Sequence, residues 1–143
     1  KTHMMQNYGA GVQACYRGPR LYDTPETQAA VTEVIQWYKK YRDILNSDMI
    51  HLRRPDARDW DGFIHVNPHK KEKGLAMFFN PTHQEITRTI HIPLYYTGLT
   101  QTARIREKEQ KPVTYKLNRD YTVELTVKIP ANGYTWYVVE AAD

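Results

Sequence analysis

Three aspartates surround one tryptophan near the middle of the chain: Asp56, Asp59 and Asp61 lie around Trp60. Two carboxyl groups about 5 to 5.5 Å apart, in environments that separate their pKa values, can cleave a glycosidic bond with retention. A carboxylate beside a tryptophan can also contact a sugar without catalysis, since the C–H surface of a sugar is apolar and packs on aromatic rings. The cluster therefore offers a catalytic pair or a sugar contact.

The same aspartates also have a structural interpretation. Arg53, Arg54 and Arg58 lie within a few residues of them, so the segment can form an ion-paired loop between two domains. We favour this interpretation over catalysis and assign no catalytic residue. Asp59-Trp60-Asp61-Gly62 imitates part of a calcium loop, but the required first and last ligands are missing, which excludes an EF-hand and leaves only an irregular site.

Other reactive groups are sparse. The six histidines are scattered, without an HExxH motif, and the single cysteine, Cys15, allows no zinc-finger spacing and no internal disulfide. Cys15 is interpreted as a small buried hydrophobe rather than a nucleophile. The sequence predicts no metal site and no cofactor.

Aromatic side chains are the remaining candidates for a binding site. The carbohydrate-contact candidates are Trp60 with the neighbouring Asp61, in a polar loop, and Trp136, between Tyr134 and Tyr137 in a strand-like segment. Each tryptophan can equally serve core or interdomain packing. The 11 tyrosines suit sugar or protein contacts, but tyrosine is also a favoured strand residue.

A long helix must lie upstream of these candidates. Thr24-Pro25-Glu26 is a helix start, with a capping residue, a proline at the first position and an acid at the positive end. Apolar residues then recur at steps of three and four, which predicts a helix over residues 25–46 with one broad apolar face. Residues 1–23 contain Gly9, Gly11 and Gly18 and are predicted to form a loop that packs on another part of the protein.

Beyond residue 60 the pattern changes to short strands separated by turn residues. Tyr121 to Ile129 alternates apolar and polar side chains, as does Ile86 to Leu94. The other predicted strands are Phe63–Val66, Gly74–Phe79, Ala103–Arg106, Val113–Leu117 and Tyr134–Val139. The fold class is therefore mainly β, an N-terminal long α-helix followed by an antiparallel two-sheet β-sandwich over residues 62–140.

Several segments resemble one family when taken in order. They are Gly62 to Pro68, Lys73 to Thr82 with its Asn80-Pro81-Thr82 end, Pro93 to Leu99, and Glu124 to Tyr134. Their succession resembles the C-terminal β-sandwich of α-galactosidase-like glycoside hydrolases, in which the sandwich follows a (β/α)8 barrel. Gly18 to Asp23 and the helix after it resemble the last barrel loop and last barrel helix.

The resemblance implies a division of the chain and a function. Residues 1–59 would be the leader loop and helix at the end of an upstream barrel, and residues 60–143 the C-terminal sandwich domain. The implied function is a non-catalytic portion of a glycoside hydrolase that supports or walls the catalytic barrel, because the barrel's carboxylate motifs have no match here. This fragment alone is then not an enzyme, and a periplasmic or extracellular location is favoured.

An alternative from another class is an autonomous carbohydrate-binding module with Trp60 or Trp136 as its platform. The net charge of +4 is spread among acids, so we expect no nucleic-acid partner. No run of about 18 apolar residues occurs, so we expect no membrane span. The expected partners are the upstream barrel and a carbohydrate. If that barrel is absent, the helix should lie partly against the sandwich and the rest of its apolar face should drive self-association.

Overall fold

The computed structural model describes residue 5, residues 25–53, residue 56 and residues 58–142. The predicted leader loop, the Thr24 cap and Cys15 lie outside the described residues. The elements are, in order, α1 (Pro25–Leu45), β1 (Asp48–Arg53), β2 (Asp61–Val66), β3 (Gly74–Phe79), β4 (Ile86–Pro93), a short 3-10 helix η1 (Tyr95–Thr97), β5 (Thr102–Glu107), β6 (Val113–Lys116), β7 (Thr122–Ile129) and β8 (Tyr134–Glu140). The predicted helix and the seven predicted strands are confirmed, with ends that differ by a residue or so.

The strands form two antiparallel sheets. The larger sheet has the order β1-β2-β3-β8-β5-β6, and the smaller sheet contains β4 and β7 alone. One apolar core fills the space between the sheets, so the predicted two-sheet sandwich is confirmed. The helix α1 packs on the opposite face of the larger sheet and encloses a second core. The molecule therefore has three layers: helix, large sheet and small sheet.

The central strands of the large sheet are buried on both faces. In β3 all six residues are buried, and five of the six in β2 are. Successive side chains point to opposite faces of a sheet, so Phe78 enters the core under the small sheet while Met77 enters the core under the helix. Because both faces need apolar side chains, Gly74-Leu75-Ala76-Met77-Phe78-Phe79 is a continuous apolar run instead of an alternating one.

The small sheet has one wet face and one dry face. In β7 the residues Val123, Leu125, Val127 and Ile129 are buried and those between them are exposed. The eight residues of β4 pair with those of β7 in an unbroken antiparallel register, from Ile86 opposite Ile129 to Pro93 opposite Thr122. The alternation in both sequences was therefore a correct indicator of half-buried strands.

Strand β1 was not predicted. The sequence predicts a loop between the helix and the first strand, yet Asp48–Arg53 pairs with β2 along its length, with a register shift between His51 and Arg53. Its side chains are exposed or half-buried, as expected for an edge strand. Polar and charged residues at such an edge hide the strand pattern.

Most of the apolar face of α1 is covered by its own chain. Val34, Tyr38, Tyr41 and Leu45 are each at most 6% exposed, packed on β2, β3 and β8 through the second core. Trp37, the fifth residue of the expected apolar face, is only half-buried, so self-association through the rest of this face stays a prediction. None of the helical segments within the described ranges is long and apolar enough to cross a membrane.

Candidate functional site

An aromatic cavity lies where α1 crosses β8 and the turn after β5. Its volume is about 460 Å³. The walls combine aromatic rings with charged and amide groups from the helix and the turn: Met5, Glu33, Val34, Trp37, Lys108, Glu109, Gln110, Tyr134 and Trp136. Aromatic walls with a few polar groups at the rim are typical of small-molecule sites.

The rings of the cavity wall are fixed by contacts with one another. Trp37 meets Trp136 edge-on with the ring centroids 5.6 Å apart, and Tyr41 meets Trp136 in the same way at 5.2 Å. Such pairs stabilise the arrangement beyond the area they bury. Trp136 is 6% exposed, so it can contact a ligand only from within the cavity and offers no open platform.

The polar rim is an ion-paired network. Lys40 Nζ donates to Glu109 Oε1 at 2.8 Å, and the Tyr41 hydroxyl donates to the same oxygen. Arg106 Nη2 donates to the Tyr41 hydroxyl at 3.3 Å. The hydrogen bond from Lys40 holds the pKa of Glu109 below its ordinary value, while burial raises the pKa of Tyr41. Glu109 is therefore a fixed anion that joins the helix to the β5–β6 turn.

The predicted ion-paired loop forms, and its partners belong to the same sandwich. Arg53 binds both carboxylate oxygens of Asp56, at 3.2 and 2.9 Å, and also donates to the backbone oxygen of Trp60 at 2.6 Å. Arg88 on β4 binds Asp59 at 3.1 Å. The two ion pairs hold the loop against β1 and the small sheet, which leaves the carboxylates of Asp56 and Asp59 occupied.

The aspartates of this loop have opposite electrostatic environments. The Arg53 guanidinium, helped by the backbone N–H of Arg58, lowers the pKa of Asp56 to about 2. Burial raises the pKa of Asp61. An elevated and a depressed carboxyl pKa can mark a catalytic pair, but here the depressed member is bound bidentately to an arginine, which explains its value without catalysis.

The glycine of Asp59-Trp60-Asp61-Gly62 has a packing role. A Cβ at Gly62 would lie 2.6 Å from the backbone oxygen of Met77 and 3.2 Å from the ring of Trp60. Trp60 is half-buried and meets Phe78 edge-on with centroids 5.8 Å apart. Gly62 thus lets Trp60 lie over the large sheet.

Across the described ranges, no group of three or more histidine, cysteine or acidic side chains could hold a metal ion.

The structure does not bring the three predicted contact residues together. Trp60 packs with Phe78 in the core under the small sheet, whereas Trp136 belongs to the core under the helix. Asp61 is half-buried at the start of β2. Trp60 and Trp136 therefore lie on opposite faces of the large sheet, and Asp61, two residues before Phe63 in β2, is on the helix face with Trp136 and not beside Trp60.

Two exposed tyrosines were not singled out from the sequence. Tyr95 and Tyr96 are 62% and 63% exposed. The signal was their position between Leu94 and Gly98 in a turn segment, where adjacent large apolar residues have no strand or helix face to bury them.

No family model and no curated protein matches the chain. Solved structures do match. The structure resembles that of α-galactosidase I from Mortierella vinacea with a TM-score of 0.62 and 13% identity, covering 99% of this chain and 35% of that one. It resembles the GH27 β-L-arabinopyranosidase from Geobacillus stearothermophilus with a TM-score of 0.63 and 12% identity, covering 99% of this chain and 29% of that one.

An α-amylase from Geobacillus thermoleovorans is similar at a TM-score of 0.51, with 11% identity, covering 92% of this chain and 26% of that one. The chain thus spans about a third or less of the length of these three enzymes. The resemblance to α-galactosidase-like hydrolases inferred from the sequence is confirmed at the level of the fold: this chain has the fold of one portion of a GH27-type glycoside hydrolase.

Proposed function

We propose that the chain is the non-catalytic C-terminal β-sandwich portion of a glycoside hydrolase and that it supports an upstream catalytic barrel. The observation that carries this proposal is the coverage: nearly all of this chain aligns with a minor part of each enzyme. The occupied carboxylates around Trp60 also favour a structural task for the acidic loop. The division into residues 1–59 and 60–143 stays a prediction, and strand β1, which pairs with β2 in the large sheet, lies before that boundary.

The test compares two proteins on a panel of aryl-glycosides. The chain of residues 1–143 should show no turnover, and the parent protein with its upstream barrel should be active. The parent should also lose thermal stability when residues 1–143 are removed, because the barrel then exposes the surface that the sandwich covered. Robust turnover by residues 1–143 alone would refute the accessory role, as would a parent protein whose upstream part is not a barrel.

A second function, autonomous carbohydrate binding, is favoured by one observation. The aromatic cavity combines the edges of Trp37 and Trp136 with Glu33 and Gln110 at its rim, a set of groups that suits a sugar. Glycan-array binding by the isolated chain that is lost in Trp136→Phe would support the cavity. Binding lost in Trp60→Ala instead would assign the activity to the Trp60–Asp61 loop.

A further inference from the structure

The turn after β4 is built to display two tyrosines. Leu94 and Thr97 are fully buried at its two ends. The Thr97 hydroxyl donates to the Leu94 oxygen at 2.6 Å and accepts the N–H of Leu99 at 3.2 Å, and the Leu94 N–H donates to the Tyr121 oxygen at 2.8 Å. Because both ends of this single 3-10 turn are fixed in the core, Tyr95 and Tyr96 between them are held at the surface.

A third tyrosine contacts the pair and has an unfavourable backbone conformation. Tyr95 meets Tyr96 edge-on with centroids 5.1 Å apart, and it meets Tyr121 at 5.5 Å. Tyr121 has φ +63°, in the left-handed region where a hairpin normally places glycine. A non-glycine residue there is strained, and such strain is concentrated at functional sites. We name Tyr95, Tyr96 and Tyr121 the tyrosine cluster.

A polar groove begins at Tyr121 of the tyrosine cluster. Its volume is about 510 Å³, and Tyr121 and Leu117 form part of its wall. Hydroxyl, amide and cationic side chains supply the rest: Thr100, Gln101, Thr102, Lys116, Asn118 and Arg119. None of these lining residues is acidic. Exposed rings beside hydroxyl, amide and cationic donors match a ligand that has both an apolar C–H face and many hydroxyls.

We propose that the tyrosine cluster and its groove bind a polysaccharide chain, with a sugar ring packed against the exposed rings of Tyr95 and Tyr96 and hydroxyls bonded to Gln101, Asn118 and Arg119. The choice of a polysaccharide rests on the proposed function, while the geometry of the site does not. Tyrosine rings fixed before binding lose little conformational freedom when the ligand arrives. The tyrosine cluster is separate from the cavity of Trp37 and Trp136 and from Trp60.

The test uses the 143-residue chain in native affinity electrophoresis through gels that contain a soluble galactan, arabinan, mannan or starch. At least one polymer should retard the chain, and Tyr95→Ala with Tyr96→Ala should weaken this binding about tenfold or more, as expected when central aromatic contacts are removed. Tyr95→Phe with Tyr96→Phe should keep most of it. The control is Val113→Ala, since Val113 is a large apolar residue, 54% exposed, on β6.

Three outcomes would overturn the proposal: no retardation by any polymer, retardation unchanged in the double alanine variant, or equal loss in the Val113 control. Because no step measures turnover, failure here is distinguishable from failure of the accessory role.

A substitution at Tyr121 separates binding from folding. Tyr121→Gly removes the ring and relieves the backbone, whereas Tyr121→Ala removes the ring and keeps φ +63° unfavourable. Both variants should bind the polymer more weakly, and the glycine variant should melt at the higher temperature of the two. If instead the Tyr121→Gly variant were retarded as strongly as the unsubstituted chain and only the less stable Tyr121→Ala variant bound weakly, the ring of Tyr121 would not contribute to binding.

Discussion

Asp56 and Asp61 lie five positions apart and respond to pH in opposite ways. Asp56 gains an arginine and its pKa falls to about 2, so its folded form is stabilised when it is ionised. Asp61 is half-buried and its pKa is raised, chiefly by the loss of hydration and only partly offset by Arg53. A carboxyl with a raised folded pKa weakens the fold once pH exceeds the unfolded pKa, because the folded state then resists ionisation.

We therefore expect Asp61→Asn to raise the melting temperature at pH 7 and to have little effect at pH 3, where the carboxyl is protonated in both states. Thermal unfolding followed by circular dichroism at the two pH values measures this. Asp56→Asn is the matched control with the opposite sign: it should lower the melting temperature at pH 7, and its effect should fade as pH falls from about 4 to about 2. Equal effects of Asp61→Asn at both pH values would contradict the assigned burial.

Among the glycines in the described ranges, Gly62 has the neighbours that leave least room for a side chain. The Cβ of an alanine there would lie 2.6 Å from the Met77 backbone oxygen, and a backbone atom in the centre of a sheet cannot move away cheaply. We expect Gly62→Ala to lower the free energy of unfolding by about 1 to 3 kcal/mol, as overpacking does, measured by urea denaturation.

Gly74→Ala provides the control for Gly62. Its added Cβ would meet the side chains of Ile64 and Val139 at 3.3 Å, and side chains can shift by a few tenths of an ångström. It should therefore cost less. A Gly62→Ala variant as stable as the parent would mean that β2 and β3 separate more easily than their packing indicates.

The C-terminal end of α1 connects the helix layer to the large sheet. Tyr41 departs from helical geometry, with φ −106° and ψ 15°, and its hydroxyl lies between Glu109 and Arg106 of the β5–β6 hairpin. Tyr41→Phe keeps the ring contacts with Trp37 and Trp136 and deletes only the hydroxyl. Because the lost hydrogen bond has a charged acceptor, we expect a cost of about 1.5 to 3 kcal/mol.

Lys40→Ala is the comparison for that variant. Lys40 binds the same Glu109 at 2.8 Å, but both side chains are more than half exposed. Such surface pairs contribute about 1 kcal/mol or less. If Lys40→Ala proved the more damaging substitution in urea denaturation, the network would owe its strength to the ion pair and not to the buried hydroxyl.

Elements with a clear period were predictable from the sequence, and elements at an edge were not. The helix and the alternation of Tyr121 to Ile129 follow from spacing alone. Strand β1 was missed because His51 and Arg53 belong to an edge where polar residues are tolerated. The apolar run at Gly74 to Phe79 indicated a buried strand but could not tell which layers would cover it.

The candidate site was less predictable because sheet order brings distant residues together. The sequence pointed to Trp60 and Trp136 as separate aromatics, but only the pairing of β3 with β8 shows that Trp136 faces the helix and meets Trp37 there. The tyrosine cluster depends on a contact between Tyr95 and Tyr121. These residues are far apart in sequence, and the pairing of β4 with β7 brings them close together.

At the scale of the whole molecule, the helix lies against the large sheet of the sandwich, where it was expected to lie at least in part. Val34, Tyr38, Tyr41 and Leu45 are covered within the chain, so their burial needs no second copy. Self-association stays a prediction, and the part of the helix face that it would use includes the half-buried Trp37. Light scattering at micromolar concentration measures the number of chains per particle and decides this question.

The smaller sheet has a consequence for how the protein opens. Strands β4 and β7 hydrogen-bond only with each other among the described strands, while β3 lies between β2 and β8 and is buried on both faces. Amide protons should therefore exchange with deuterium in a fixed order, with those of β4 and β7 released by local detachment and those of β3 retained until global unfolding. Equal protection of the three strands would show that the sandwich opens as a single cooperative unit, and the small sheet would then be as firmly held as the centre it covers.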